Sequence, residues 1–329
     1  MTGVTVATGS RLHFGLLCGA PDSGWHYGGV GLMVDAPAWR LEVSLAASGT
    51  DEFMTSAAVR ERLTVLLSKF RSTFSELPPV RFAATSETAF HTGLGSGTQL
   101  TLAAGTALLL LSGHPRPRSI SEFATAMGRR RRSAIGTFGF DHGGFLIDHG
   151  KSANGQDQPL ERLRFPEAWR MLILTPTEST GLSGDTEEQF FTRRRYLDAQ
   201  TLQQLDQLIQ QQIIPAVRDQ NFPVFRKALA DYGGLVGQYY AAAQGGIFSS
   251  RLMQHLIQEL DQKNGCGAVQ SSWGPSVCVP ADSDDHAAEF VSRISALGHA
   301  SRINVTVARG LNSGALIRSS APEHHRSFG

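Results

Sequence analysis

The stretch Gly93-Leu94-Gly95-Ser96-Gly97-Thr98 is the part of this 329-residue sequence best suited to chemistry. It stands between a strand-containing segment and an apolar run of helical character. Such a loop presents several backbone N–H groups at a helix N-terminus, where unpaired donors and the helix dipole favour an anion. Phosphate or pyrophosphate is the natural guest. Taken alone, the G-x-G-x-G spacing suits a structural turn about as well as an anion cradle. No Gly-Lys-Ser/Thr follows, so it is not a Walker A loop, and the full dinucleotide fingerprint is missing too.

Glycine also clusters at Gly28-Gly29-Val30-Gly31, Gly143-Gly144 and Gly181 to Gly184, among 35 in all, which suggests backbone brought close to a ligand. Arg129-Arg130-Arg131-Arg132, beside Ser133, offers guanidinium groups to phosphate oxygens or else forms a solvated helix end. For Arg193-Arg194-Arg195 the solvated end is preferred. His13 follows a strand and suits a phosphate or ring contact as well as a structural role. Trp273 is placed either to stack on an aromatic ligand or to fill a core. Asp141 and Asp148 flank the Gly143-Gly144 pair as weak metal candidates, with capping the commoner use of such residues. Glu187 suits a site approached from the second half or an exposed first helical turn.

Composition narrows the function classes. Thirty basic against 29 acidic side chains give a formal charge of +1, and no aromatic residues interleave the arginine run, which argues against a nucleic-acid partner. Cys18, Cys266 and Cys278 have no paired metal-ligand spacing and leave an odd thiol, as in a reducing compartment. Residues Met1 to Ser10 lack a signal-peptide pattern, and Ala107 to Leu111 is far too short to span a membrane. The expectation is a soluble cytoplasmic protein.

The elements that must position these residues follow from periodicity. Strands are expected over Val4–Leu17, Val30–Val34, Trp39–Leu45, Val80–Ala84 and Gly143–Asp148. Helices are expected over Ala57–Phe74, Gln99–Leu111 and Ile120–Met127, the last capped by Ser119 or Ser121. The polar stretch from Lys151 to Leu163 is a candidate boundary. Beyond it come a strand at Arg170–Thr175 and two or three helices between Thr186 and Lys263. Leu202, Leu205, Leu208, Ile209 and Ile213 supply an apolar stripe there among solvated glutamines. Paired strands at Ala268–Ser271 and Ser276–Val279, a helix at His286–Leu297, a closing strand at Ile303–Ala308 and a polar tail from Ser319 complete the chain. The fold class is α+β, with a ferredoxin-like order in the second half.

Gly93-Leu94-Gly95-Ser96 before an Ala-rich helix resembles the second motif of the GHMP kinase superfamily, which includes galactokinase, homoserine kinase and mevalonate kinase. Gln270-Ser271-Ser272-Trp273-Gly274-Pro275-Ser276-Val277 resembles its third motif, and Gly9-Ser10-Arg11-Leu12-His13-Phe14-Gly15 sits where the first should lie. The resemblance implies the GHMP-kinase fold: a ribosomal S5 domain 2-like domain over residues 1–160 and a ferredoxin-like domain over 161–329. The kinase pattern breaks at two places. The substrate-directed Asp is replaced by Gly136 in Ser133-Ala134-Ile135-Gly136, and the metal-binding second Ser of the loop by Gly97. Both losses tell against ordinary phosphoryl transfer.

Those departures, with Arg11 to Leu16, Gly28 to Leu32, Gly93 to Gln99, Arg132 to Gly136, Gly143-Gly144-Phe145, Gly181 to Gly184 with Glu187, and Gln270 to Pro275, resemble the β-ribofuranosylaminobenzene 5′-phosphate synthase family. The resemblance implies condensation of 4-aminobenzoate with phosphoribosyl pyrophosphate, releasing pyrophosphate and carbon dioxide. It implies His13, Arg132 and Ser96 as catalytic residues. Arg11, Gly93, Leu94, Gly95, Ser96, Gly97, Thr98, Gln99, Arg132, Ser133, Ser271, Ser272, Trp273 and Gly274 would line the substrate and phosphate site. Mg²⁺ accompanying the pyrophosphate, no ATP, and a homodimer without nucleic acid or membrane partners complete the expectation. An ATP-dependent small-molecule kinase using another carboxylate, and a non-catalytic ligand-binding regulator on the same scaffold, are the alternatives.

Overall fold

The computed structural model describes residues 3–74 apart from 22 and 24, then 77–128, 133–152, 154, 160–178, 190, 196–261, 265–299 and 301–320. Two long antiparallel strands, β1 (Gly3–Cys18) and β2 (His26–Leu45), form its spine. The sequence suggests two separate strands within β2, because Asp35-Ala36-Pro37-Ala38 looks like a break. Instead Thr8 pairs with Trp39 and Ser10 with Val34, so the chain bulges between them and continues. The Ser10 hydroxyl ties the bulge down by donating to the Pro37 carbonyl at 2.7 Å.

Around this spine the first sheet adds β3 (Glu52–Met54), β4 (Val80–Ser86), β5 (Phe145–Asp148), β6 (Leu160–Leu163) and a last strand from the C-terminal end of the chain. The helices α1 (Ala57–Thr73), α2 (Ser96–Leu111) and α3 (Ile120–Ala126) cover the half of the spine that carries Val4, Val6, Trp39, Leu41 and Val43. The apolar spacing of Val59, Leu63, Leu66, Leu67 and Phe70 buries one face of α1, as the periodicity predicts. In α2 small residues allow close approach, and a side chain at Gly105 would strike the ring of Phe123. Ser119 caps α3 by accepting the Glu122 N–H. A short helix, α4 (Ile135–His142), then leads into β5.

The second sheet has the order β10–β7–β9–β8, formed by β7 (Arg170–Pro176), β8 (Val269–Gln270), β9 (Val277–Ala281) and β10 (Ile303–Arg309). In order of appearance that is 4-1-3-2, the ferredoxin-like arrangement expected from the element order. Both faces of β7 are covered: Met171 and Ile173 join the core shared with β1 and β2, while Leu172 and Leu174 join a second core. That explains its unbroken apolar run. Helix α5 (Ala199–Leu208) passes through a π-helical turn (Ile209–Ile213) into α6 (Ile214–Arg218), followed by α7 (Phe222–Gln244). Leu202, Leu205, Leu208, Ile209 and Ile213 are all buried, and Gln203, Gln204 and Gln207 are exposed. Helices α8 (Arg251–Asp261) and α9 (Asp284–Ala296) close the far face.

The strand at 303–309 is not the last. The chain returns to the first sheet as β11 (Leu316–Ser320), antiparallel to β1. This edge strand is mostly exposed, with Leu316 half exposed, so it leaves no apolar alternation in the sequence.

Candidate anion-binding site

The glycine loop delivers the chain into α2 in a conformation few residues allow. Gly95, immediately before the helix, has φ +68°, and Gly93 has φ +83°, both in the left-handed region. The Gly95 carbonyl accepts the N–H groups of Thr98 at 3.0 Å and Gln99 at 3.1 Å. Ser96 and Gly97 are therefore the first-turn donors with no acceptor inside the helix, a narrower cradle than the sequence suggests. Trp39, fully buried in β2, anchors the turn by donating its indole N–H to the Ser96 carbonyl at 3.1 Å. A side chain at Gly95 would meet the Arg11 guanidinium, with Nε 3.1 Å and Cζ 3.5 Å from its Cβ, so Arg11 lies across the loop.

Three segments far apart in sequence lock together here. The Arg11 N–H donates to the Leu94 carbonyl at 2.9 Å. The His13 N–H donates to Ser271 Oγ at 3.1 Å, and that hydroxyl donates to the Gly93 carbonyl at 2.8 Å. The Ser272 N–H returns to the His13 carbonyl at 2.6 Å. Ser271 is fully buried, and its own carbonyl accepts the Gly274 N–H at 2.9 Å. Ser272 sits at φ +56°, a conformation that costs a non-glycine residue about 1–3 kcal/mol and that its bond to His13 helps to hold. At Gly93 a side chain would collide with the Ser271 carbonyl.

His13 is 3% exposed. Its Nδ1 accepts the Gly15 N–H at 3.3 Å, and its Cε1 lies where a side chain on Gly29 would have to go. Burial, together with the positive charge of Arg11, drives its pKa well below the usual histidine range, against a smaller upward pull from its own backbone. Its Nε2 has no hydrogen-bond partner among the described residues. A buried polar atom left in that state costs about 1–3 kcal/mol.

Gly136 stands in the first turn of α4. A Cβ there would lie 3.6 Å from Arg11 Nε, 3.6 Å from Thr98 Cγ2 and 3.9 Å from Gln99 Nε2, ordinary contact distances. Nothing steric demands glycine at this position. Gln99, fully buried, fixes α4 to the spine: its Nε2 donates to the Gly136 carbonyl and its Oε1 accepts the Thr8 hydroxyl, both at 2.8 Å. Sequence reading missed Thr8 and Trp39, because a supporting residue on a distant strand leaves no local spacing to find.

Asp148 is buried and capping: its carboxylate accepts the Ser133 hydroxyl (2.8 Å) and the N–H groups of Ala134 (2.7 Å) and Gly150 (2.9 Å). Ser133 is thereby committed to the start of α4. Asp141, near the other end of that helix, forms an ion pair with Arg116. Trp273 packs edge-on against Phe190 and Tyr240, with ring centroids 4.8 Å away in each case. Arg129 to Arg132, Gly181 to Gly184, Glu187 and Arg193 to Arg195 lie outside the described residues. Among the described residues no group of three His, Cys, Asp or Glu side chains could hold a metal. With Asp148 capping and Asp141 paired, the candidate carboxylates do not fit a protein-held Mg²⁺. No helix is long and apolar enough to cross a membrane, among the described residues.

No family model matches the sequence. Two proteins named beta-ribofuranosylphenol 5′-phosphate synthase are similar over nearly the whole chain. The Methanothermobacter thermautotrophicus protein is 28% identical, covering 95% of this chain and 98% of its own. The Archaeoglobus fulgidus protein is 29% identical, covering 92% and 96%. Among solved structures, homoserine kinase from Cytophaga hutchinsonii superposes with a TM-score of 0.64 at 15% identity, covering 97% of this chain and 98% of that one. Mevalonate diphosphate decarboxylase from Staphylococcus aureus gives 0.63 at 12%, covering 97% and 98%. The chain has the GHMP-kinase fold, as the order of its three motifs implies, and is a homologue of the synthases.

Proposed function

We propose that this chain is an enzyme joining an aromatic acid to phosphoribosyl pyrophosphate, releasing pyrophosphate and carbon dioxide and forming a C–C glycosidic bond. The observation that carries this reading is the convergence of a helix N-terminus, Arg11 and His13 at a place where Gly136 supplies no carboxylate. Such a site is built for the charge of a leaving anion and not for deprotonating a hydroxyl. The names of its homologues point to the same reaction class.

Departure of pyrophosphate from ribose C1 leaves an oxocarbenium-like centre. The N–H groups of Ser96 and Gly97, with the Arg11 guanidinium across the loop, stabilise the charge that leaves. Arg132 is assigned to the remaining phosphate oxygens. The ring carbon bearing the carboxylate attacks C1, helped by the lone pair of the para substituent. The electron pair of the bond to the carboxylate then returns to the ring as carbon dioxide departs, restoring aromaticity. No strong general base is required, which is compatible with glycine at 136. The described carboxylates do not fit a metal, so Mg²⁺ would be carried by the pyrophosphate of the substrate and would neutralise part of the leaving charge.

4-Aminobenzoate is taken as the acceptor, in a step of methanopterin biosynthesis. 4-Hydroxybenzoate, whose product would be the phenol in the homologues' names, is its direct competitor. The same reading takes the chain to work in the cytoplasm as a homodimer, without ATP, on small molecules alone. Release of labelled carbon dioxide from carboxyl-labelled 4-aminobenzoate or 4-hydroxybenzoate, with phosphoribosyl pyrophosphate and Mg²⁺, tests the reaction and ranks the acceptors. Folded protein that releases none from either acid is not this enzyme.

A further inference from the structure

We infer that His13 is held as the neutral tautomer protonated on Nε2, a buried donor placed to hydrogen-bond one anionic oxygen of the bound substrate. One observation sets the tautomer and two more keep the ring neutral. Nδ1 accepts the Gly15 N–H at 3.3 Å, so the ring proton belongs on Nε2. The ring is 3% exposed, which disfavours the imidazolium form. Arg11, two residues away along β1, is the positive neighbour that opposes a second charge on the ring.

The ring has little freedom to look for another partner. The His13 backbone is bonded on both sides to the 271–272 turn, through its N–H to Ser271 and its carbonyl to Ser272. Gly15 and Gly29 close on the Nδ1–Cε1 edge. Nε2, which has no partner among the described residues, is the one polar atom of the side chain left for a ligand. A neutral N–H donor recognises an accepting oxygen and has no attraction for a cation. Beside Arg11 that oxygen belongs to an anion, either a phosphate oxygen of phosphoribosyl pyrophosphate or the carboxylate of the aromatic acid. The identity of the anion rests on the proposed function; the protonation state and orphaned donor do not.

The test is nitrogen-15 NMR of histidine-labelled protein at neutral pH, alone and then with pyrophosphate, phosphoribosyl pyrophosphate or 4-aminobenzoate added separately. The expected result is a neutral ring protonated on Nε2, whose N–H resonance moves with one class of ligand and so names the oxygen's source. His13→Gln, which keeps an amide donor near the Nε2 position, and His13→Asn, which does not, are then compared by calorimetry. Affinity for that ligand should fall about 10-fold or more in His13→Asn and largely recover in His13→Gln. A ring protonated on Nδ1, an imidazolium, or an Nε2 signal that no ligand moves would overturn the inference, whether or not the variants fold. Should carbon dioxide release proceed while Nε2 stays silent, this inference fails and the proposed reaction stands. Should Nε2 respond to pyrophosphate while no acid is decarboxylated, the reaction fails and the donor stands.

Discussion

The Ser271 hydroxyl donates to the Gly93 carbonyl at 2.8 Å while receiving the His13 N–H at 3.1 Å, so one buried side chain joins the glycine loop to β1 from a position 258 residues beyond His13. Ser271→Ala removes both bonds and leaves a buried carbonyl and a buried N–H without that partner. The expected loss is about 1–3 kcal/mol of stability, read as a lower midpoint in urea. Because the same hydroxyl sets the height of the loop over β1, kcat/KM should fall by more than the loss of folded protein explains. A variant with the stability of the parent would show that the bridge is dispensable.

Gly95 combines two demands, a left-handed backbone and a guanidinium 3.1 Å from where its Cβ would lie. Gly95→Val meets neither, and it displaces Arg11 from the loop. It should abolish detectable protection by phosphoribosyl pyrophosphate in thermal unfolding. Ser96→Ala, which leaves the backbone donors in place, should reduce turnover only modestly. Full activity in Gly95→Val would make the loop a structural turn.

The fold was largely legible because its cues are local. Apolar spacing marked α1 and the 202–213 stripe, Ser119 marked a helix start, and the apolar run marked β7. What stayed hidden depends on partners remote in sequence. Pro37 looks like a strand end until the bulge against Thr8 and Ser10 absorbs it, and β11 forms an exposed edge that needs no alternation. In the site, the glycines and serines were visible as motifs. The duties of Asp148 and Ser133 were not, since whether a carboxylate caps a helix or meets a metal depends on which N–H groups the fold brings to it. Thr8, Trp39 and the tautomer of His13 belong to the same class.

Gly136 offers a cleaner comparison of charge with volume. Its Cβ position is unobstructed, so Gly136→Ala should leave substrate affinity near that of the parent and, as alanine replacing glycine within a helix, raise stability by roughly 0.5–1 kcal/mol. Gly136→Asp sets a carboxylate beside Arg11 and the phosphate cradle. Its affinity for pyrophosphate should drop at least about 10-fold, as expected for a lost or repelled charge-assisted bond. Equal pyrophosphate binding by the Ala and Asp variants would show that Arg11 and the neighbouring helix N-terminus take no part in holding the anion.

The depressed pKa of His13 makes folding stability depend on pH in a definite direction. In the unfolded chain its imidazole takes a proton near the usual value of 6.5, whereas in the folded protein burial and Arg11 keep the ring neutral well below that pH. Between the two values the unfolded state binds more protons, so stability rises with pH and is lost as pH falls below 6.5. The limiting slope for one group is about 1.4 kcal/mol per pH unit. Glutamine cannot titrate there, so subtracting the urea-unfolding free energies of His13→Gln from those of the parent isolates this contribution. The difference should be flat from pH 8 to about pH 7 and then turn steadily against the parent as the pH is lowered to about 5.5. A constant difference across that window would mean that His13 takes up its proton as readily in the folded protein as in the unfolded chain, and that the ring is not kept neutral by its site.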